Sequence, residues 1–155
     1  MTPPQKTLRL LMPQWQGGNN PTYHLGARLL AWLAPESDAQ FAEVPVAKPD
    51  GFKLQVEEGI VAKSAILEQN RAAREIIQRA DPDRIVTFGG DCSVSLVPFS
   101  YLASKYAGDV GCYGSTRMST SRKTASIRCP RSMPRLPGSS RISTVAACSI
   151  RRSSG

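Results

Sequence analysis

The chain has 155 residues, 41% of them hydrophobic and 21% charged, with four cysteines and a formal charge of +8, which fits one ordinary domain or a piece of a larger one. No apolar run approaches the roughly 18 residues a membrane-spanning helix needs, and the opening residues lack a secretory signal pattern, so a cytoplasmic protein with no membrane partner is expected. The charge averages two unlike parts: residues 1–111 hold 11 basic and all 12 acidic side chains, whereas residues 112–155 hold nine basic side chains and no acid.

Thr7 to Met12 is a short apolar run ended by Pro13 and reads as a buried strand. Gln14 to Asn20 follows as a loop, with Gly17 and Gly18 supplying backbone freedom. Asn20 and Pro21 suit a helix start, an amide to cap free N–H groups and a proline at the first helical position. Leu25, Leu29, Leu30 and Leu33 recur at helical spacing along one face, and Pro35 stops the helix. Phe41 to Val46 is a second strand, which Pro45 marks as an edge or an early stop.

Ser64 to Ala80 is a second helix with Ile66, Ala73, Ile77 and Ala80 on one side and Arg71 and Glu75 on the exposed face. Arg84 to Phe88 is the clearest strand, followed at once by Gly89-Gly90-Asp91-Cys92-Ser93 and a third helix from about Val94 to Tyr106. Val110 starts another strand that the sequence does not complete. Strand–helix alternation of this kind predicts a parallel sheet covered on both faces, with sites at the carboxyl ends of the strands. Two loops qualify, Gln14–Asn20 and Gly89–Ser93.

Beyond Gly111 the pattern stops. The last 44 residues contain 11 Ser, eight Arg and three of the four cysteines, and their apolar residues follow no sustained period. Cys112, Cys129 and Cys148 lack CxxC pairing or a nearby histidine, which argues against a zinc site, and a cytosolic setting argues against disulfides. The domain boundary is therefore set at 111, with an Arg/Ser-rich, disordered 112–155 expected.

Arg84-Ile-Val-Thr-Phe-Gly-Gly-Asp-Cys-Ser93 resembles the strand and loop of the ureohydrolase family (arginase, agmatinase, formimidoylglutamase), where a hydrophobic strand ends in Gly-Gly-Asp-His-Ser. The opening Leu11-Met-Pro-Gln-Trp-Gln-Gly-Gly-Asn-Asn20 and the leucine-rich helix after it resemble arginase-family proteins as well, so the similarity covers about residues 7–111. The resemblance implies a three-layer α/β/α fold with a parallel sheet, here incomplete, and metal-dependent hydrolysis of a C–N bond in a guanidino or amidino substrate. It also implies two Mn²⁺ ions, whose role is to lower the pKa of a bridging water and orient it. Cys92 stands where the family has a metal-binding histidine, and a thiolate shifts the preference toward Zn²⁺ or Fe²⁺, or leaves one metal or none. Family members often form homo-oligomers.

The family's other ligands, in Asp-Ala-His-X-Asp and a later Asp-X-Asp, do not occur in the chain. Joining the third base of each codon from Gly111 onward to the first two of the next lets Cys112 through Thr120 spell Val-Leu-Trp-Ile-Asp-Ala-His-Val-Asp, an apolar strand followed by the missing motif. A reading-frame shift near Gly111 is inferred. Residues 112–155 would then never have been selected to fold, and the product would be a truncated, inactive form with hydrophobic surface left uncovered.

Each candidate residue also has a plainer role. Cys92 is a structural thiol, a metal ligand, or a nucleophile whose pKa a helix N-terminus lowers; His24, the sole histidine, reads as a half-exposed surface residue rather than its base. Asp91 orients a ligand from behind or caps a helix. Gly89 and Gly90 form a tight turn. Gln14, Gln16, Asn19 and Asn20 are substrate-loop candidates, with Asn20 best suited to capping. Two functions of other classes compete: a thiol-dependent amidase using Cys92, and a nucleic-acid-binding arm in the basic tail, against which non-specific stickiness is favoured.

Overall fold

The computed structural model describes residues 5–51 and 53–107. The expected strand at Val110, the tail 112–155 and its three cysteines lie outside the described residues. Within them the chain is mixed α/β, built on a parallel three-stranded sheet.

Strand β1 (Thr7–Met12) is followed by helix α1 (Thr22–Leu33) and strand β2 (Gln40–Glu43). A small hairpin, β3 (Val56–Glu57) and β4 (Ile60–Val61), leads into helix α2 (Lys63–Ala80), strand β5 (Arg84–Gly89), a 3₁₀ turn (Cys92–Ser95) and helix α3 (Leu96–Lys105). The sheet order is β2–β1–β5, with Leu8 in register with Gln40 on one side and Ile85 on the other. The second strand is shorter than the expected Phe41–Val46. It ends ahead of Pro45, although Val44 N–H still donates to the Leu11 carbonyl at 2.8 Å. The hairpin was not foreseen. Its two turn residues, Glu58 and Gly59, both have positive φ (49° and 79°), the geometry that suits a two-residue connection between twisted strands.

Side chains alternate across a strand, and β1 uses both faces. Leu8, Leu10 and Met12 pack with Ile85, Val44 and the buried faces of α2 and α3, including Ala73, Ile77, Ala80, Val97 and Leu102. On the other face Leu11 and Phe88 meet Ala27 of α1, flanked by Ala31 and Ala34. Helices therefore lie against both faces, but the two sides are unequal.

The leucine stripe of α1 does not bury. Leu25, Leu29 and Leu33 are 69%, 49% and 63% exposed, and Trp32 is 78% exposed. Helical period alone does not tell which of two apolar stripes turns inward. Here the smaller stripe does, its alanines fitting against Leu11 and Phe88, while Arg28 at the margin pairs with Glu43 on β2.

At the amino end of the sheet a polar clamp ties α3 to the start of β5. Lys105 Nζ donates to Asp81 Oδ1 at 2.8 Å and to the Pro82 carbonyl at 3.0 Å, and pairs with Asp83 at 3.2 Å. Tyr101 hydroxyl donates to Asp81, and Lys6 N–H donates to Asp83 Oδ2 at 2.9 Å. Hydrogen bonds from Lys105 and Tyr101 hold the Asp81 carboxyl below its usual range. Asp83 is lowered first by the Lys6 backbone N–H. Burial and the Asp81 hydrogen bond push the Tyr101 phenol up to about 12. Among the described residues no helix is long and apolar enough to cross a membrane.

Candidate functional site

Because β1 and β5 are adjacent and parallel, with Met12 in register with Gly89, the loops that leave their carboxyl ends emerge side by side. The two loops singled out in the sequence interlock there. Asp91 is 1% exposed; its Oδ1 accepts from Ser93 N–H at 3.0 Å and its Oδ2 from Gly18 N–H at 3.3 Å. The Ser93 hydroxyl lies between the Asp91 carboxylate and Gln14 Oε1 and donates into that pair. Gln14 is fully buried, and its Nε2 donates to Gln69 Oε1 of α2 at 2.7 Å. A chain of hydrogen bonds thus runs from the first loop through the second to α2.

The glycines of these loops serve close approach rather than turn freedom. A Cβ on Gly90 would sit 1.9 Å from the Gln14 carbonyl oxygen, and one on Gly89 would sit 2.3 Å from Val94 Cγ2. At Gly17 it would meet Asp91 Oδ2 at 2.8 Å, and at Gly18 the Tyr23 ring at 2.5 Å. None of the four has a positive φ. The expectation of backbone freedom is replaced by one of space: Gly17 and Gly90 let the two loops touch, and Gly18 and Gly89 make room for Tyr23 and Val94.

The roles of the remaining candidates follow from their surroundings. Asp91 is the cap of the 3₁₀ turn, the plainer of its two expected roles. Asn20 Oδ1 accepts from Thr22 N–H at 3.1 Å, so Asn20 caps α1 with Pro21 already helical in φ and ψ. Asn19 takes a left-handed φ of 48° in the exposed turn, its N–H donating to the Gln16 carbonyl at 3.1 Å. Gln16 is buried and accepts from Trp15 N–H, while Trp15 Nε1 donates to the Ala47 carbonyl at 2.9 Å.

Two expectations are corrected. Cys92 is a free thiol that reaches the surface, yet partial desolvation and then the Asp91 carboxylate push its pKa up rather than down. The turn that begins at Cys92 is a four-residue 3₁₀ segment in which the Ser93 N–H is given to Asp91, and the lowering by the Cys92 backbone hydrogen bond is the smallest of the three effects on the thiol. His24 is buried rather than half-exposed, at 8%. Its Nε2 is enclosed without a hydrogen-bond partner, so it does not engage the Cys92 thiol through that nitrogen. Desolvation, then Arg28 and Lys48, lower its pKa and keep it neutral.

Gln69 was missed by sequence reasoning. A signal was present, since Gln69 falls within the apolar stripe Ile66–Ala73–Ile77, where a polar side chain needs a buried partner. Metal chemistry finds little to work with. Among the described residues no three His, Cys, Asp or Glu side chains gather, and Asp91 spends both oxygens on internal donors. These residues do not fit a Mn²⁺ centre. No protein-family model and no curated protein matches the chain.

Proposed function

We propose that the chain is the N-terminal portion of a ureohydrolase-like, three-layer α/β/α hydrolase, lacking the ligand-bearing strands and inactive by itself. The single observation that supports this is the meeting of the two family-like loops, Gln14–Asn20 and Gly89–Ser93, at the carboxyl ends of neighbouring parallel strands, where open α/β sheets bind ligands. The residues of these loops do structural work: Asp91, Ser93 and Gln14 lock one loop to the other and present Cys92 at the rim. In the intact family arrangement the two Mn²⁺ ions supply an activated water. In this chain Cys92 alone occupies a ligand position, so no hydrolytic step is assigned to it. The implied substrate class is a guanidino or amidino compound.

Two measurements test the reading. Purified full-length chain should bind no stoichiometric Mn²⁺ and release no urea from arginine or agmatine. The nucleotide sequence after the Gly111 codon should carry the third bases that encode Asp-Ala-His-Val-Asp in the shifted frame. Urea release at enzymic rates, or third bases incompatible with that motif, would overturn the proposal. The thiol-amidase alternative gains nothing from the site, because the Cys92 thiol is held protonated at neutral pH.

A further inference from the structure

After β2 the segment Pro45–Pro49 carries no secondary structure and runs as a strap beside the first loop. The sheet lets go of the chain at Val44, whose N–H donates to the Leu11 carbonyl at 2.8 Å. Beyond it Pro45 and Pro49 have no N–H to give, and Pro45, Ala47 and Lys48 are exposed. Val46 packs on the main core, and the Ala47 carbonyl accepts the Trp15 indole N–H at 2.9 Å. That bond ties the strap to a tryptophan that is 4% exposed. Lys48, the next residue, stands near enough to His24 for its charge to act on the imidazole.

His24 is the one histidine of the chain, and its surroundings oppose a positive charge. The ring is buried, and its Nε2 is enclosed with no hydrogen-bond partner among the described residues. Arg28, one turn further along α1, and Lys48 in the strap are both cations. Glu43 on β2 is the opposing anion, and its carboxylate is already engaged by Arg28. His24 also lies in the first turn of α1, where the free N–H groups make the helix end positive and no acidic side chain offsets them. A neutral imidazole is tolerated in this place and an imidazolium is not.

We propose that His24 is a proton-operated catch on this strap: when the imidazole takes a proton, Pro45–Pro49 lifts from Trp15 while the sheet and the helices stay folded. The strap yields because the other neighbours of His24 are held. Arg28 is fixed by Glu43, α1 packs on Leu11 and Phe88 through Ala27, and β2 is laddered to β1. Lys48 stands on a segment with no ladder, so repulsion moves it outward and takes the Ala47 carbonyl off the indole. Opening bares Trp15 and loosens the Gln14–Asn20 loop from one side. The catch is independent of the hydrolase reading, since it assigns no chemistry to the loop cluster.

The test uses the full chain carrying Trp32→Phe, which leaves Trp15 as its single tryptophan. Trp15 emission and its quenching by acrylamide are followed from about pH 8 to about pH 5, where ordinary carboxyls stay ionised, with far-UV circular dichroism in parallel. The open form, with an ordinary imidazole, takes up the proton first. The opening constant should therefore rise by up to about tenfold per pH unit below 6.5 until the closed form also protonates, with the dichroism unchanged. His24→Gln should keep Trp15 closed throughout. Lys48→Glu should move the opening to lower pH, because an attraction replaces the repulsion. If His24→Gln does not fold, the Lys48→Glu shift decides alone. Opening that persists in His24→Gln, or that Lys48→Glu does not move, overturns the proposal. So does a Trp15 that stays closed to the lowest pH, or one that opens only as the dichroism is lost.

Discussion

On one face of β1, Leu8, Leu10 and Met12 meet Ile77, Val97 and Leu102; on the other, Leu11 and Phe88 meet a row of alanines. The first face is filled by large side chains from two helices. The second is closed by small ones, which let α1 lie near the strands while its own large residues turn outward. The contrast teaches that a helix with two apolar stripes can set its small residues against the sheet and turn its large ones outward, with Arg28 on Glu43 and Asn20 at the helix start as polar contacts at its margins.

Core truncations should separate the two faces most sharply. Ile77→Ala or Leu10→Ala should cost about 2–5 kcal/mol in urea denaturation, whereas Leu33→Ala, on the outer face of α1, should stay within about 0.5 kcal/mol. Equal losses at both would erase the distinction. Two glycines give a test of opposite sign. Gly90→Ala drives a methyl into the Gln14 carbonyl and should destabilise by about 3 kcal/mol. Gly26→Ala, where a Cβ meets nothing within 4 Å, should instead stabilise α1 by about 0.5–1 kcal/mol.

Smaller than the loss at Gly90 is the one expected from Gln69→Ala. That change leaves the buried Gln14 amide without its acceptor and should cost about 1–3 kcal/mol, while the same change at exposed Gln78 should be silent within about 0.5 kcal/mol. The least effect is a pH dependence. His24 has a folded pKa below the ordinary 6.5, so on acidification the unfolded chain takes up a proton before the folded one does. Stability should fall as pH drops through 6.5 and level off below the folded value. His24→Gln should remove this step. It should leave the separate acid loss below about pH 4, where the depressed carboxyls of Asp81 and Asp83 begin to protonate in the unfolded chain.

Much of the fold was legible because its strongest elements are local. Arg84–Phe88 is β-branched and apolar and ends at two glycines, and Ser64–Ala80 keeps one apolar side, so both stand within a residue of their expected limits. Pro13, Pro35 and Pro45 marked the stops. The hairpin at Glu58-Gly59 escaped notice because its strands have two residues each, too few for alternation to register. The orientation of α1 was illegible for a different reason: Leu25–Leu29–Leu33 and Ala27–Ala31–Ala34 share one period, and the surface that takes the alanines is assembled from Leu11 and Phe88, on strands far apart in the sequence. In the loops, sequence located Asp91 and Gln14 but not their joint role, which depends on the strand pairing of β1 with β5.

The Lys105 clamp has a consequence for whatever follows it in the chain. It pins the last turn of α3 beside Asp81 and Asp83, at the far pole of the sheet from Asp91 and Cys92. Any donor delivered to the Cys92 rim from later in the polypeptide must therefore first travel back along the whole height of the sheet, a journey of about 20 Å that six extended residues accomplish.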